Sequence, residues 1–377
     1  MNKTNFTGSV IDPAVEKKTS HISELDGLRG MAILLVVLYH YLSWTHGTRI
    51  PWLKGIFATG WAGVDLFFVL SGFLIGGILL DTRESPRYFK TFYARRALRI
   101  LPLYYVWIGI YFVIAAFVGN PEGWRSVPAY VLFVQNLSKG HHLLLGSIWL
   151  GHLWSLCVEE QFYLVIPLAI LFLDRRKLVA FLCLAIVGAP LLRVLLHLYL
   201  PTHPAAQYTL SICRVDALAM GVLVAIAWRN EASKAKLREY QSFVIAVVLL
   251  LLGVFAVLTI WRPSQYSLTM TWGLSVLDVL FAGVLAITLL VPDGAWGRVC
   301  RWAFLIELGR VSFCLYVIHE IINLMFHEIF FHSEPRADSW QTIGVTILAA
   351  LFAYGVARLS WNFLERPMMQ RRHAFTY

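Results

Sequence analysis

The stretch ELDGLRGMAILLVVLYHYL, residues 24–42, decides the fold. It is an apolar run of about the length that crosses a bilayer as a helix, with Arg29 at its start and His40 deep inside it. The two are eleven residues apart, which is three turns plus about 20°, so they share one face roughly 16 Å apart along the axis. On a helix otherwise suited to lipid, that face must meet protein or a water-filled space.

The rest of the chain resembles this stretch. Of 377 residues, 58% are apolar and only 14% charged, with a mean hydropathy of +0.66. Soluble domains carry about 25% charged residues, so the composition is that of a membrane protein. No separate polar block is large enough for a soluble domain. The pattern predicts an all-α, polytopic transmembrane helix bundle. Residues 1–23 form a polar cytoplasmic arm without a cleavable signal sequence, 24–367 the transmembrane unit, and 368–377 a short tail.

Runs of about 20 apolar residues place ten spans near 28–45, 62–81, 101–119, 151–173, 178–200, 209–228, 242–260, 269–291, 311–331 and 340–364. The apolar piece PAYVLFVQNL, 128–137, is too short to cross and reads as re-entrant or interfacial. Ten spans put both termini on one side. One set of connecting segments holds 22 lysines and arginines, clustered around 83–99, 175–177, 229–238, 298–310 and 366–372 with the N-terminal arm; the other set holds six. Excess cation marks the cytoplasmic side, so both termini are expected there. The net charge of +10 is thereby explained by topology and contact with anionic lipid, and nucleic acid is not needed as a partner. Cys157, Cys183, Cys213, Cys300 and Cys314 lack metal-ligand spacing; they read as small buried residues, with neither disulfides nor a metal expected.

Ionisable groups inside spans usually face a protein interior or an aqueous cavity. His40 reads either as a helix-to-helix hydrogen-bonding residue or as a general base, since imidazole titrates near neutrality. Arg29 alone would be a snorkelling anchor. In RYFKTFYARRALRILPLYY, Arg95, Arg96 and Arg99 could simply fix topology. Arg96 and Arg99, three apart, share a face if the segment is helical and could then clamp phosphates with forked donors. In HLWSLCVEEQFYLVIPL, the spacings of His152, Ser155 and Glu159 let them lie along one face, with Glu160 about 100° round. The acidic pair could be interface decoration, or Glu159 could orient and charge-stabilise a histidine as in an acyl-transfer triad. Arg214 and Asp216 point in different directions and read as structural partners of other helices; His319 and Glu320 read the same way. Asp65 and Ser71 lie among Gly72, Gly76 and Gly77, which favour close helix packing.

Taken together, LDGLRGMAILLVVLYH, GVDLFFVLSGFLIGG, FYARRALRILPLYY, HLWSLCVEEQFYLVIP, RVDALAMG, SFCLYVIHE and SWNFLERP, in that order from Leu25 to Pro367, resemble the acyltransferase-3 family of bacterial membrane O-acyltransferases. The resemblance implies transfer of an acyl group, usually acetyl, from cytoplasmic acyl-CoA to hydroxyls of cell-surface or exported carbohydrate or glycolipid. It also implies a multi-pass protein of the bacterial inner membrane. The family's R-x10-H pattern falls on Arg29 and His40, its R-x-x-R on Arg96 and Arg99, and its glutamate on Glu159. Its R-x-D falls on Arg214 and Asp216, its Y-x-x-H on Tyr316 and His319, and its terminal E-x-P on Glu365 and Pro367. Arg95 and Glu160 are neighbours of these positions. Many relatives continue into a hydrolase-like domain; here the sequence stops at Tyr377, as in a membrane-only form or a piece of a longer chain.

The expected chemistry has Arg96 and Arg99, helped by Arg29 and Arg95, holding the donor's phosphates. His40 acts as base or transient acyl carrier, with Glu159 orienting it. A multipass transporter or flippase would account equally well for the spans and buried charges; the other rival, a silent relative acting as a sensor, has the intact Arg29, His40, Arg96, Arg99 and Glu159 against it.

Overall fold

A computed structural model of the chain describes residues 22–43, 46–48, 55, 57–117, 122–138, 148–201, 204–261 and 269–377; the expected N-terminal arm, as far as residue 21, lies outside them. The long helices are α1 (Ser23–Leu38), α2 (Gly63–Asp81), α3 (Tyr88–Phe117), α4 (Trp154–Phe172) and α5 (Arg175–Tyr199). They are followed by α6 (Val215–Trp228), α7 (Gln241–Trp261), α8 (Leu274–Leu290), α9 (Ala303–Phe331) and α10 (Trp340–Ser360). Helix α1 runs on into a π-helical turn, Tyr39–Ser43, that holds His40. The fold is an all-α membrane helix bundle.

Among the described residues, seven helical stretches are long and apolar enough to cross a bilayer. An eighth counts if Glu231–Glu239 and Gln241–Val257, bent by 68°, form one broken span. Two stretches read as spans fall short of that standard. Helix α6 has only 14 residues, and α9, with 29, is made more polar by His319, Glu320, Asn323 and His327. The 128–137 piece forms the helices Glu122–Val131 and Gln135–Ser138, each too short to span. The turn between them puts Phe133 at φ 54°, its ring stacked 4.3 Å from that of Tyr104.

Close helix packing rests on glycine. A Cβ on Gly27 would lie 1.7 Å from the Cys300 carbonyl oxygen, and one on Gly72 would lie 2.0 Å from that of Leu218. These backbones touch because no side chain intervenes. Gly309 lies against Asp26 while His40 lies against His319, so α1 and α9 run parallel. Their exits are joined by a parallel strand pair, β1 (His46–Thr48) with β2 (Arg336–Ala337). At the opposite end, Arg83 donates to the last carbonyls of α4, those of Leu171 and Leu173, at 3.0 Å each.

The bundle's outer surface is apolar. Phe172 is 75% exposed and Leu184 71%, as expected of side chains that face lipid tails. Cys157, Cys213, Cys300 and Cys314 are buried and unbridged, and burial pushes the Cys300 thiol up to about 11. Cys183 departs from the expected burial: it is exposed on α5, whose outward face is apolar.

Candidate active site

Helices α1, α3 and α4 bring together the residues that their spacing predicts on shared faces. Residues 95–99 lie inside α3 rather than before it, so Arg96 and Arg99 occupy adjacent turns of one helix. The guanidinium of Arg96 sits 4.1 Å from the centre of the Tyr163 ring, a cation–π arrangement, and its Nε is buried with no hydrogen-bond partner. Arg29 faces Asp26, Arg96, Glu159 and Tyr163. Arg99 faces two cations, Arg29 and Arg96, with Arg372 beyond them. Ser71 of α2 hydrogen-bonds the Tyr163 hydroxyl and also meets Glu159. Glu365, 7% exposed, reaches toward Arg99 and receives the Ser360 hydroxyl at 3.4 Å. Three guanidiniums gathered inside a bundle, one with an unused donor, are suited to a phosphate-bearing anion.

At the other end of α1 lie three imidazoles. The ring centres of His40 and His319 are 5.0 Å apart, those of His152 and His319 5.0 Å, and those of His40 and His152 6.4 Å. Hydrogen-bond partners assign the tautomers. His319 Nδ1 faces the carbonyls of Leu315 (3.1 Å) and Tyr316 (2.8 Å), so it carries the proton and its Nε2 accepts. His40 Nδ1 faces the Val36 carbonyl at 2.9 Å and His319 Nε2 at 3.3 Å. It is therefore the protonated nitrogen, and the lone pair of His40 lies on Nε2. His152 presents Nε2 to the Val317 carbonyl at 3.3 Å and Nδ1 to Glu320 Oε2 at 2.5 Å. The short approach of Nδ1 to Glu320 makes the two an ion pair whenever the His152 ring carries both protons. Tyr41 donates to the His319 carbonyl at 2.7 Å and fixes the two helices in register.

Between the two ends, Ser155 donates to the Tyr316 hydroxyl at 2.5 Å, and Tyr316 donates to the His152 carbonyl at 2.8 Å.

Two expected placements are corrected. Glu159 is not beside His40: its neighbours are Arg96, Ser71, Arg29 and Arg99. His152 lies in the 3-10 turn Ile148–Leu153 that precedes α4, and Glu159 lies seven residues further on, inside α4 and toward the arginines. The carboxylate at the histidines is Glu320 instead. The dipeptide His319–Glu320 was its only signal in sequence, and it reads equally well as packing. Arg95 is turned from the other arginines, its Nε donating to the Phe375 carbonyl at 2.8 Å and its guanidinium lying 5.0 Å from the Tyr377 ring. Glu160, next to Glu159 in α4, is partly exposed and faces Arg96.

Asp65, Arg214 and Asp216 belong to a separate buried network. Arg214 pairs with Asp65, and Arg193 pairs with Asp216 at 2.9 Å while donating to the Thr271 carbonyl at 2.8 Å. Ser275 donates to Asp216 at 2.6 Å. The partners of Arg214 and Asp216 thus come from other helices, as their divergent directions predict. Arg193 and Asp278 complete this network. Among the described residues, no group of three or more His, Cys, Asp or Glu side chains is arranged to hold a metal ion.

The bundle thus holds arginines at one depth and an imidazole cluster at another. The model described as an acyltransferase domain, that of the acyltransferase-3 family, matches residues 22–359. The chain belongs to that family. It is 29% identical to the peptidoglycan O-acetyltransferase OatA of Listeria monocytogenes, over 94% of this chain and 56% of that protein. It is 26% identical to the O-acetyltransferase OatA of Staphylococcus aureus, over 93% of this chain and 58% of that protein. The chain therefore spans little more than half the length of these relatives. No solved structure matches it.

Proposed function

We propose that the protein is an O-acyltransferase of the bacterial inner membrane that moves an acetyl group from cytoplasmic acyl-CoA to a hydroxyl of a cell-surface or exported carbohydrate. The observation that carries this reading is the pairing, along α1, of the Arg29–Arg96–Arg99 cluster with the His40–His319–His152 cluster. The relatives' names support acetyl as the group and peptidoglycan-type glycan as the acceptor.

In this reading the arginines hold the donor's phosphates, and the extended arm of the donor covers the roughly 16 Å of α1 to His40. The His40 Nε2 lone pair takes the proton of the acceptor hydroxyl. The oxygen attacks the thioester carbonyl, the C–S bond breaks, and the imidazolium returns its proton to the departing thiolate. His319 fixes the His40 tautomer through Nδ1, and the His152–Glu320 pair places a carboxylate where it stabilises the charged imidazole. Glu159 steadies the arginines rather than the base. A carrier role for His40 uses the same nitrogen.

The test is transfer of label from radiolabelled acetyl-CoA to glycan in membranes containing the protein, with His40→Ala at matched abundance beside it. General-base help provides about 10²–10⁴ in rate, so the variant should fall to background. Equal labelling by both proteins would make His40 structural. Absence of any thioester consumption would favour a transporter or a sensor.

A further inference from the structure

Beyond His319, helix α9 continues away from the arginine end with a polar stripe that the transfer chemistry leaves unused. Asn323 and His327 follow His319 at intervals of four residues, so all three lie within about 80° of one face and rise by about 6 Å per step. Both are buried, Asn323 at 3% and His327 at 0% exposure, and each has a buried atom without a hydrogen-bond partner: Asn323 Oδ1 and His327 Nδ1.

The chemistry of the second atom follows from its neighbours. Thr346 of α10 gives its hydroxyl proton to the Thr342 carbonyl at 3.0 Å. It can therefore only accept from His327 Nε2, 2.9 Å away. The proton of His327 is thus on Nε2, and Nδ1 is a bare lone pair. A buried acceptor left unpaired costs about 1–3 kcal/mol, and two of them one turn apart ask for a partner that brings donors without bringing charge. At the outer end of the stripe, Arg336 and Asp338 pair at 3.5 Å and form a charged rim.

We infer that Asn323 and His327 form a binding subsite for hydroxyl or amide donors of a carbohydrate acceptor, which enters along α9 from the β1–β2 end toward His40. This rests on the acyltransferase reading above and adds the acceptor's path. His319 joins the two sites: its ring contacts that of His40, and its own helix face runs on to Asn323. The amide of Asn323 can accept from or donate to a sugar hydroxyl, whereas His327 Nδ1 can only accept, so the subsite favours an uncharged polyol over a phosphate or carboxylate.

The test uses the purified full chain in detergent, radiolabelled acetyl-CoA and a soluble N-acetylglucosamine tetramer as acceptor. Two variants separate binding from folding. Asn323→Leu keeps the volume and removes the amide. His327→Gln keeps a donor for Thr346 and removes the Nδ1 acceptor. Both should retain the wild-type thermal midpoint and its rise on adding acetyl-CoA. The acceptor KM should rise about tenfold in each, the equivalent of one lost hydrogen bond, while the KM for acetyl-CoA stays unchanged. Wild-type transfer with an unchanged acceptor KM in both variants would overturn the subsite and assign the unpaired atoms to ordered water. If the wild type moves no acetyl to the oligomer, the carbohydrate reading and the subsite fall together. A variant that loses the acetyl-CoA response along with transfer also counts against the subsite.

Discussion

Two backbone carbonyls set the tautomers of the facing pair His40 and His319. Val36 takes the Nδ1 proton of His40, and Tyr316 takes that of His319, so both rings are set in one tautomer by the helices that carry them. In the proposed mechanism the Nε2 of His40 is the nitrogen that takes the acceptor's proton. The carboxylates are sorted by depth. Glu320 lies 2.5 Å from His152, whereas Glu159 lies among Arg96, Arg29 and Arg99. Their amide variants should therefore fail differently. Glu320→Gln is expected to lower kcat about tenfold or more with little change in the KM for acetyl-CoA, because it removes a charge that steadies the imidazolium. Glu159→Gln is expected to act mainly on that KM. Steady-state kinetics with acetyl-CoA varied distinguishes the two, and the reverse pattern would restore Glu159 as the partner of His40. Sequence spacing was enough to place Arg96 and Arg99 on adjacent turns of one helix, and Arg29 and His40 along α1 and the π-helical turn that continues it. It was not enough to choose between the two glutamates, because that depends on how far α4 and α9 slide along α1, which no single helix encodes.

At the scale of elements, the bundle depends on backbone contact between helices. The α2–α6 pair meets where Gly72 faces Leu218 and Gly221 faces the Val69 carbonyl. Such contacts supply packing where lipid offers helices no hydrophobic drive to associate. Gly72→Val should force the pair apart and destabilise the protein by about 1–3 kcal/mol, read as a lowered thermal midpoint in detergent. The same substitution at Gly344, which has no atom within 4 Å of a built Cβ, should leave the midpoint nearly unchanged. Equal effects at both sites would contradict the packing role. The helices themselves were legible from apolar runs, and glycines 72, 76 and 77 from their clustering. The shortness of α6 was not, because the apolar run from 209 to 228 hides a break at Ser211–Cys213, where the chain turns before Arg214. The polarity of α9, with His319, Glu320, Asn323 and His327, likewise keeps it below the apolarity of the spanning helices, though its run from 311 to 331 reads as a span.

At the scale of the molecule, the long axis is chemically ordered. Arginines come first, then Glu159 with Ser71 and Tyr163, then the Ser155–Tyr316 pair, then the imidazoles, then Asn323 and His327. The Asp65–Arg214 and Asp216–Arg193 pairs stand apart and tie α2, α5 and α6 together. Removing one partner of such a buried pair leaves an uncompensated charge and is strongly destabilising. In the proposed reading, the excess of Lys and Arg on the segments at the arginine end of the bundle puts that end in the cytoplasm, so the donor and the acceptor should approach from opposite faces. Sealed vesicles test this most directly. Radiolabelled acetyl-CoA, which does not cross the bilayer, is added outside inside-out and right-side-out vesicles that hold the protein and glycan acceptor in their native arrangement. Label is expected on glycan inside the inside-out vesicles and not in intact right-side-out ones, with His40→Ala labelling neither. Labelling only from the right-side-out face, or equal labelling by His40→Ala, would contradict a donor end at the arginines and chemistry at His40.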